Sequence, residues 1–408
     1  MSKVVPLNHS AVRRRAPARA DPTHIVGAAA DALTQLKPSQ PLYILWTERI
    51  AAAARDFAAG FPGTAMYAVK TNPHPEAIRA IYRAGVTSFD VASMQEIRLV
   101  RKVAPKARMY FMHPVKAPEA IREAYTVYGI RDFVLDCEEE LYKILRETDL
   151  ASDLRLYVRM GLPKNGKAAI DFSSKFGAGP EHAVKLLRQC RPVAEKLGLC
   201  FHVGTQITEP KVYAQAIDTA AKVIAKSGVS VDALDVGGGF PVPYPGQDAP
   251  ALTTCFDTIK TALGKNGLAG LEILGEPGRA LVAQGGSLVV RVELRKGQML
   301  YLNDGTYGGL FDAGPLLNTR YPVRAYRDGG RFEDAIEAFQ FAGPTCDSLD
   351  MMKGPFLLPA DIDLGDWIEI GNLGAYSQGM RTNFNGFGGS ETVFLFDSAE
   401  KTLKRKKK

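Results

Sequence analysis

Thr64-Ala65-Met66-Tyr67-Ala68-Val69-Lys70 is the stretch that decides the fold, and Thr71-Asn72-Pro73-His74-Pro75 follows it directly. The stretch is apolar and partly β-branched, and prolines stop it, so it predicts a buried β-strand that ends at a turn. Burying a lysine at the end of such a strand is costly unless the amine is paired or reacts. Burial would also lower the pKa of the Lys70 amine and make it a usable nucleophile toward carbonyl groups. On these residues alone, a solvated lysine is the simpler interpretation.

From residue 64 onward, strand-like and helix-like segments alternate. The predicted strands are residues 64–69, 88–92, 109–112, 133–135, 154–159, 199–203, 233–236 and 271–274, and helical spacing covers, for example, 119–128, 138–146 and 212–226. This alternation predicts an α/β fold with a (β/α)8 TIM-like barrel, for which ~250 residues are usual. A doubly wound sheet also fits the periodicity, but it normally carries a glycine fingerprint after its first strand. Here Lys70-Thr71-Asn72-Pro73 follows that strand, without glycine.

The character of the sequence changes after about residue 280. Strand-like segments at 288–294, 299–302, 321–326, 338–341 and 366–370 are separated by turns that contain Gly and Asp, and helical patterns are few. They predict a C-terminal, mostly antiparallel β domain. We assign residues 1–42 to an N-terminal leader and a segment associated with the β domain, 43–280 to the barrel, and 281–408 to the β domain with a basic tail. One helix is expected near residues 25–36, and an early strand at 41–46 either joins the β domain or bridges to it.

The composition excludes several classes of protein. The chain has 408 residues, 46% hydrophobic and 23% charged, as in soluble globular proteins. Five cysteines without paired short spacings argue against a disulfide framework or a metal site, and they favour a reducing, cytoplasmic location. No apolar run approaches the ~20 residues that span a membrane. Part of the formal charge of +7 comes from Arg13-Arg14-Arg15 and from residues 404–408, which we interpret as solvated ends rather than nucleic-acid or membrane contacts.

Residues with useful chemistry collect where the predicted barrel strands end, which is where barrel enzymes place their active sites. In strand order they are Lys70, Asp90 with Glu96 on the next helix, Arg159, His202 with Thr205, Gly237-Gly238-Gly239, and Glu276 with Gly278 and Arg279. A glycine run lets backbone N–H groups approach an anion, and arginine suits phosphate, so the last two strand ends predict a phosphate site. A carboxylate such as Glu276 would keep a pyridine nitrogen protonated, which makes the ring an electron sink. His202 would stack on such a ring, although an ordinary core histidine is an equal alternative.

Short motifs with these residues follow one another from about residue 40 to the end of the chain. They are Tyr67-Ala68-Val69-Lys70-Thr71-Asn72, Phe89-Asp90-Val91-Ala92-Ser93, Phe201-His202-Val203-Gly204, Asp235-Val236-Gly237-Gly238-Gly239-Phe240-Pro241, Glu276-Pro277-Gly278-Arg279, Gly343-Pro344-Thr345-Cys346-Asp347, Gly374-Ala375-Tyr376 and Phe384-Asn385-Gly386-Phe387. By these motifs the chain resembles the ornithine/diaminopimelate/arginine decarboxylase family of fold-type III pyridoxal-phosphate enzymes, and within it the ornithine/lysine branch. The resemblance implies an alanine racemase-like architecture of a barrel plus a β domain, with pyridoxal 5'-phosphate (PLP) as cofactor and no metal.

The resemblance also implies a role for each matching residue. Lys70 matches the internal aldimine lysine, Glu276 the carboxylate at the pyridine nitrogen, and His202 the ring-stacking histidine. Asp90, Glu96 and Arg159 match the network around Lys70 and the ring, and the phosphate cradle is matched by Thr205, Gly237, Gly238, Gly239, Gly278, Arg279 and Tyr376. Cys346 and Asp347 match a pair that crosses a homodimer interface, which implies a homodimer with shared active sites.

The function expected from this resemblance is decarboxylation of a basic L-amino acid, ornithine (forming putrescine, for polyamine biosynthesis) and/or lysine, through the Lys70 aldimine, a quinonoid carbanion and protonation by Cys346. Asp347 after Cys346 resembles the ornithine branch, whereas the diaminopimelate branch usually has glutamate there. Asp312 is the candidate second acid for the distal ammonium, with Tyr376 beside the substrate. The stretch from Gly305 to Asp312 is shorter than in typical ornithine decarboxylases, so diaminopimelate and 2,4-diaminobutyrate stay open as substrates. A racemase and a non-catalytic PLP-binding regulator of polyamine synthesis are the alternative functions.

Overall fold

A computed structural model of the chain describes residues 29–162 and 175–395. In chain order the strands are β1 (Leu42–Trp46), β2 (Thr64–Ala68), β3 (Ser88–Val91), β4 (Arg108–Phe111), β5 (Asp132–Leu135), β6 (Arg155–Arg159), β7 (Lys196–Cys200), β8 (Ala233–Asp235), β9 (Glu272–Gly275), β10 (Gly286–Lys296), β11 (Met299–Leu302), β12 (Val323–Tyr326), β13 (Ile336–Ala342), β14 (Met351–Pro359), β15 (Trp367–Ile370) and β16 (Glu391–Leu395). The helices are α1 (Ala29–Leu36), α2 (Thr47–Gly60), α3 (Pro75–Arg83), α4 (Met94–Val103), α5 (Pro118–Thr126), α6 (Glu138–Glu147), α7 (Pro180–Cys190), α8 (Lys211–Ser227), α9 (Leu252–Lys265) and α10 (Arg279–Val282). Arg13–Arg15, the start of the expected first helix and the basic tail lie outside the described residues.

Strands β2 to β9 form a closed, parallel barrel in sequence order, and β2 closes it by pairing with β9 at Thr64 and Leu274. The predicted (β/α)8 barrel is therefore confirmed. Its interior is filled by side chains that alternate along the strands, since successive residues of a strand point to opposite faces. This interior cluster comprises Met66, Tyr110, Met112, Val134, Tyr157, Cys200, Ala233 and Leu274. Strand β2 is one residue shorter than expected, because Val69–Thr71 form a 3-10 turn that carries Lys70.

The second sheet has the order β12-β15-β10-β11-β13-β14, and β1 pairs with β10 and β16 beside it. Only the β1–β16 and β11–β13 pairs are parallel, so the predicted mostly antiparallel β domain is confirmed. Strand β14 was not predicted, because Gly354 and Pro355 lie within it and both are unfavourable inside strands. Strand β16 was not predicted either. Among the described residues, no helix has the length and apolar character needed to cross a bilayer.

The expected domain boundaries need two corrections. The chain divides into a β unit, with the residues up to Ile50, Pro243–Asp248 and those from Val282 onward, and a barrel unit of Ala51–Val242 and Ala249–Leu281. Strand β1 thus belongs to the β unit and not to a barrel that begins at residue 43, because its hydrogen-bond partners are β10 and β16. The segment Pro243–Asp248 also leaves the barrel, since Tyr244 packs edge-on against Tyr321 with ring centroids 5.3 Å apart.

Candidate active site

The interior side chains of the barrel are mostly apolar along the strands and become ionisable where the strands end. Each position two residues beyond an interior side chain is again interior, because the period of a strand is two. Asp90 lies beside the interior Tyr110 in the register of β3 and β4. Interior Tyr157, Cys200, Ala233 and Leu274 are each followed two residues later by Arg159, His202, Asp235 and Glu276. The barrel thus collects the predicted strand-end residues in one layer.

Lys70 is held by an ion pair with Asp90. Its Nζ lies 2.8 Å from Asp90 Oδ2, and the Asp90 side chain is only 3% exposed, whereas that of Lys70 is 44% exposed. The Lys70 amine is therefore not buried inside a strand, because Lys70 lies in the 3-10 turn Val69–Thr71 and its side chain stays partly open. Asp90 aims the amine, and a pair with one fully buried partner is stronger than a surface pair.

Glu96 is positioned by the start of α4, directly after β3. Ser93 caps this helix by accepting a hydrogen bond from the Glu96 N–H, and Glu96 Oε2 in turn accepts the Ala92 N–H at 2.7 Å. Burial raises the pKa of Glu96 to about 7, and the negative charge of Asp90 raises the pKa as well. The hydrogen bond from Ala92 and the positive charge of Lys70 partly offset this rise. Glu96 thus changes its charge near neutral pH, next to the Lys70–Asp90 pair.

Asp235 and Glu276 are two neighbouring carboxyls in the same layer. Asp235 is fully buried, whereas Glu276 keeps part of its surface open toward the rim. Burial raises the pKa of both, that of Asp235 to about 6, and the charge of Asp235 raises that of Glu276 further. Glu276 was predicted as a site residue. Asp235 was not, although it lies in one of the motifs. The signal that identifies it is the interior alternation from Ala233 to Asp235.

His202 is a neutral imidazole at the end of β7. Its Nδ1 accepts the Gly204 N–H at 3.1 Å, which places the proton of the neutral ring on Nε2. Burial lowers its pKa well below the usual value, and the charges of Arg159 and Lys70 add to this effect. A neutral, partly accessible ring suits a flat stacking partner better than a charged acid.

The glycine run after β8 serves close packing. Gly237 has φ +70°, and its N–H donates to Asp235 Oδ1 at 2.9 Å, so this N–H is used within the protein and not for an external anion. A Cβ at Gly238 would lie 2.7 Å from the Glu276 carbonyl oxygen and 3.1 Å from His202 Nε2. Glycine at 238 therefore allows the backbone to pack closely against the His202 imidazole and the strand that carries Glu276, where a Cβ would clash.

Further predicted site residues belong to the barrel unit, and one of them, Arg159, is part of the layer itself. Arg279 begins α10 and is 8% exposed, and a Cβ at Gly278 would lie 2.2 Å from the buried hydroxyl oxygen of Thr71. Thr205 lies three residues beyond His202 and is half-buried. The guanidinium of Arg159 lies 5.4 Å from the centroid of the Phe176 ring. Binding roles for these residues stay predictions.

The other predicted site residues belong to the β unit. Cys346 is exposed, and its N–H donates to Asn385 Oδ1 at 3.0 Å. Asp347 accepts hydrogen bonds from the Leu349 N–H at 2.9 Å and from the Tyr307 hydroxyl at 2.5 Å, which together hold its pKa below the usual value. Asp347 is therefore a carboxylate at neutral pH, whereas the thiol of Cys346 is open to solvent.

The loop with Cys346 is anchored by the buried Asp350. One carboxylate oxygen accepts the N–H and the hydroxyl of Thr306 at 2.7 and 3.0 Å, and the other accepts those of Thr345 at 3.1 and 2.8 Å. Asp312 lies in the turn Phe311–Ala313 and is 4% exposed, and Tyr376 has φ +52°. The anchoring by Asp350 was not predicted from the sequence.

Residues 47–283 match the family model of the pyridoxal-dependent decarboxylases, pyridoxal binding domain. The chain belongs to this family. It is 30% identical over 345 residues to the lysine/ornithine decarboxylase of Selenomonas ruminantium, with 82% of this chain and 84% of the relative covered. It is 32% identical over 348 residues to the ornithine decarboxylase of Schizosaccharomyces pombe, with 81% and 77% covered. A lysine/ornithine decarboxylase from Vibrio vulnificus complexed with putrescine matches 90% of this chain and 96% of its own, with a TM-score of 0.76 and 31% identity.

The family, the fold, the PLP cofactor and the lyase class that the sequence predicted are thereby confirmed. The observed layer also fits PLP chemically. It provides a primary amine for an aldehyde, carboxyls for a ring nitrogen and a neutral imidazole for the ring face. Glycine at 238 also keeps this part of the layer free of a side chain, since a Cβ there would clash with the Glu276 carbonyl oxygen and crowd His202. The protein is a PLP-dependent amino-acid decarboxylase.

Proposed function

We propose that this enzyme decarboxylates ornithine and/or lysine and releases CO2 with putrescine or cadaverine. The observation that carries this proposal is the carboxylate of Asp347, held ionised on the loop of Cys346. A substrate with a distal ammonium needs such a carboxylate, since an unpaired charge in a closed site costs several kcal/mol. The similar enzyme from V. vulnificus binds putrescine, which supports a diamine product.

When bound, PLP supplies an electron sink for the pair of electrons that CO2 leaves behind. Lys70, aimed by Asp90, would hold the cofactor covalently, and Glu276 would accept the hydrogen bond of its ring nitrogen. His202 would cover one ring face as a neutral imidazole. We assign the phosphate to a set of partly buried or glycine positions: Thr205, Gly238, Gly239, Gly278, Arg279 and Tyr376.

Cys346 is the proposed proton donor to the substrate α-carbon. Its exposed thiol belongs to the β unit, and we propose that two copies of the chain associate so that Cys346 of the partner subunit completes each site. Mixing inactive Lys70→Ala with inactive Cys346→Ala tests this, because a mixed dimer contains one site with both intact residues. Random exchange of subunits should restore up to about a quarter of the wild-type activity. No recovery despite demonstrated exchange would reject shared sites.

The substrate is tested by CO2 release from ornithine, lysine, diaminopimelate and 2,4-diaminobutyrate with added PLP. Asp347→Asn and Asp312→Asn should lower kcat/KM for ornithine and lysine at least ~10-fold, about 1.4 kcal/mol, and leave a neutral amino acid of similar length less affected. Asp334→Asn is the matched control, since Asp334 is an exposed aspartate of the same unit. Equal losses on charged and neutral substrates would show that these acids shape the site without recognising the ammonium.

Diaminopimelate carries a distal carboxylate as well as an ammonium, so an aspartate at 347 suits it less than a simple diamino acid. A preference for diaminopimelate in the panel would reject the proposed substrate class and leave the enzyme class unchanged. A non-catalytic regulator has less support, since the Lys70–Asp90 pair and the carboxyl of Glu276 are both retained. Absence of CO2 release from every amino acid tested, with PLP bound, would favour it.

A further inference from the structure

Asp235 and Glu276 are neighbouring carboxyls at the C-terminal ends of β8 and β9. The resemblance to the family assigns a role to Glu276 but none to Asp235. The strands run in register with Asp235 opposite Leu274, and the ladder continues through the Glu276 N–H, which donates to the Gly237 carbonyl oxygen at 2.7 Å. Asp235 and Glu276 therefore stand on the same interior face, one step apart. The backbone of Gly237 links them: its carbonyl oxygen accepts the Glu276 N–H, and its own N–H donates to Asp235 Oδ1 at 2.9 Å.

The second oxygen of Asp235 has no ordinary donor. Asp235 Oδ2 is fully buried and has no hydrogen-bond donor among the described residues, and the neighbouring ionisable group is the carboxyl of Glu276. Two ionised carboxylates cannot form a hydrogen bond with each other, whereas one shared proton supplies the missing donor. Two neighbouring negative charges in a buried layer also favour keeping a proton on the pair.

The surrounding charges are of both signs. Asp90 faces both carboxyls from β3 and raises their affinity for a proton, whereas Lys70 faces Glu276 and Arg159 faces Asp235, and each lowers it. The Cys200 thiol beneath the pair is held neutral by its burial. The two cations therefore face different members of the pair, and Asp90 together with burial opposes full ionisation.

We propose that Asp235 and Glu276 share one proton in the cofactor-free enzyme, and that Asp235 is a positioning residue that holds Glu276 ready for the cofactor's ring nitrogen. This inference rests on the proposed role of Glu276. When the ring nitrogen arrives as a neutral base, its N–H bond forms as the shared O–H bond breaks, and the pair is left ionised beside the positive ring. When it arrives already protonated, the shared proton leaves to solvent.

Asp235→Asn tests the shared proton with little change of shape. The oxygen of the introduced amide can still accept the Gly237 N–H, and its NH2 can donate to Glu276. Both the lost charge of residue 235 and the new donor favour the ionised form of Glu276 before the cofactor binds. The wild-type site should therefore differ from the variant by about one proton when PLP binds. If the ring nitrogen arrives neutral, wild type takes up about one proton fewer per site than the variant; if it arrives protonated, wild type releases about one more. The count comes from calorimetric titration of cofactor-free protein with PLP in buffers of different ionisation enthalpy. Asp232→Asn, at the opposite end of the same strand, should give the wild-type count.

Cofactor affinity is the second readout, because a positioning residue acts on binding before turnover begins. Asp235→Asn should weaken PLP binding at least ~10-fold, about 1.4 kcal/mol, and Asp232→Asn should not. Infrared difference spectra of wild type alone should show a protonated carboxyl that disappears when PLP binds, so the test survives a variant that does not fold. Equal proton counts in wild type and Asp235→Asn, or no loss of the carboxyl signal in wild type, would overturn the shared proton.

The cofactor site at Lys70 and the shared proton can be tested separately. Borohydride reduction with PLP should fix the cofactor on Lys70, which a peptide map detects in wild type and in Asp235→Asn. Failure to label Lys70 in wild type would reject the proposed cofactor site. Normal labelling of Lys70 together with equal proton counts would reject only the pair.

Discussion

Replacing the glycines of the run after β8 by alanine tests the packing of the layer directly. A Cβ at position 237 would lie 2.2 Å from the backbone oxygen of Phe201, and the residue already has φ +70°. A Cβ at position 238 would lie 2.7 Å from the backbone oxygen of Glu276, without a positive φ. Gly264, near the end of α9, has no atom within 4 Å of a built Cβ, so Gly264→Ala is the matched control.

The three variants should differ in both sign and size. The left-handed conformation costs a non-glycine residue ~1–2 kcal/mol, and a new methyl in a packed interior costs ~1–3 kcal/mol, so Gly237→Ala should lose about 2–5 kcal/mol. Gly238→Ala carries only the packing cost, about 1–3 kcal/mol. Gly264→Ala should gain ~0.5–1 kcal/mol, because alanine is the better residue inside a helix.

Thermal unfolding of the cofactor-free variants measures this series, at ~2–4 °C of apparent Tm per kcal/mol for a unit of this size. PLP titration of the folded variants adds a second measurement, since relief of the Gly238→Ala contact must move either the Glu276 backbone or the His202 ring. Affinity should then fall in Gly238→Ala and stay unchanged in Gly264→Ala. A Gly237→Ala protein as stable as the control would refute the assigned packing.

Two further predictions concern other residues of the two units. Burial raises the pKa of Glu96 from 4.5 to about 7, so the folded state binds more protons than the unfolded state in that window and stability falls as pH rises through it. Glu96→Gln keeps an acceptor for the Ala92 N–H but cannot ionise. Its apparent Tm should therefore fall less than that of wild type as the pH rises from 4.5 to about 7. An unchanged slope of apparent Tm against pH would show that the pKa of Glu96 is not raised. Asp350→Asn places an NH2 against the N–H and hydroxyl donors of either Thr306 or Thr345. The lost hydrogen bonds should lower the free energy of unfolding by about 1–3 kcal/mol. The thiol of Cys346, on the adjoining loop, should then be labelled faster. Wild-type stability and labelling rate would show that Asp350 does not anchor the loop.

The sequence predicted the barrel and most of its strand-end residues because both depend on local patterns. A strand places every second residue inside, so the ionisable residues that follow the apolar interior positions can be found without knowledge of the contacts. Lys70 illustrates the limit of such patterns. Its position at the end of β2 was predicted correctly, but its exposure depends on the turn Val69–Thr71, which the apolar run did not show.

The remaining errors concern contacts between distant parts of the chain. The barrel was predicted to begin at residue 43, and the place of the early strand was left open between joining the β domain and bridging to it. Its partners, at residues 286–289 and 391–395, are far away in sequence. A five-residue apolar strand fits either sheet equally well, so only the register of the folded chain decides. The same holds for Asp235, because its contact with Glu276 exists only when β8 and β9 pair.

The protonation of the layer explains how so many ionisable groups can stand above an apolar core. Burial raises the pKa of Asp235 and Glu276 and lowers that of His202, so the same physical cause moves both acids and base toward their neutral forms. Lys70 and Asp90 form an ion pair in the same layer. The layer therefore carries fewer charges than its composition suggests. In the proposed pair, Glu276 would become the carboxylate for the charge of a bound ring nitrogen only when that charge arrives, because the shared proton would leave at the same moment.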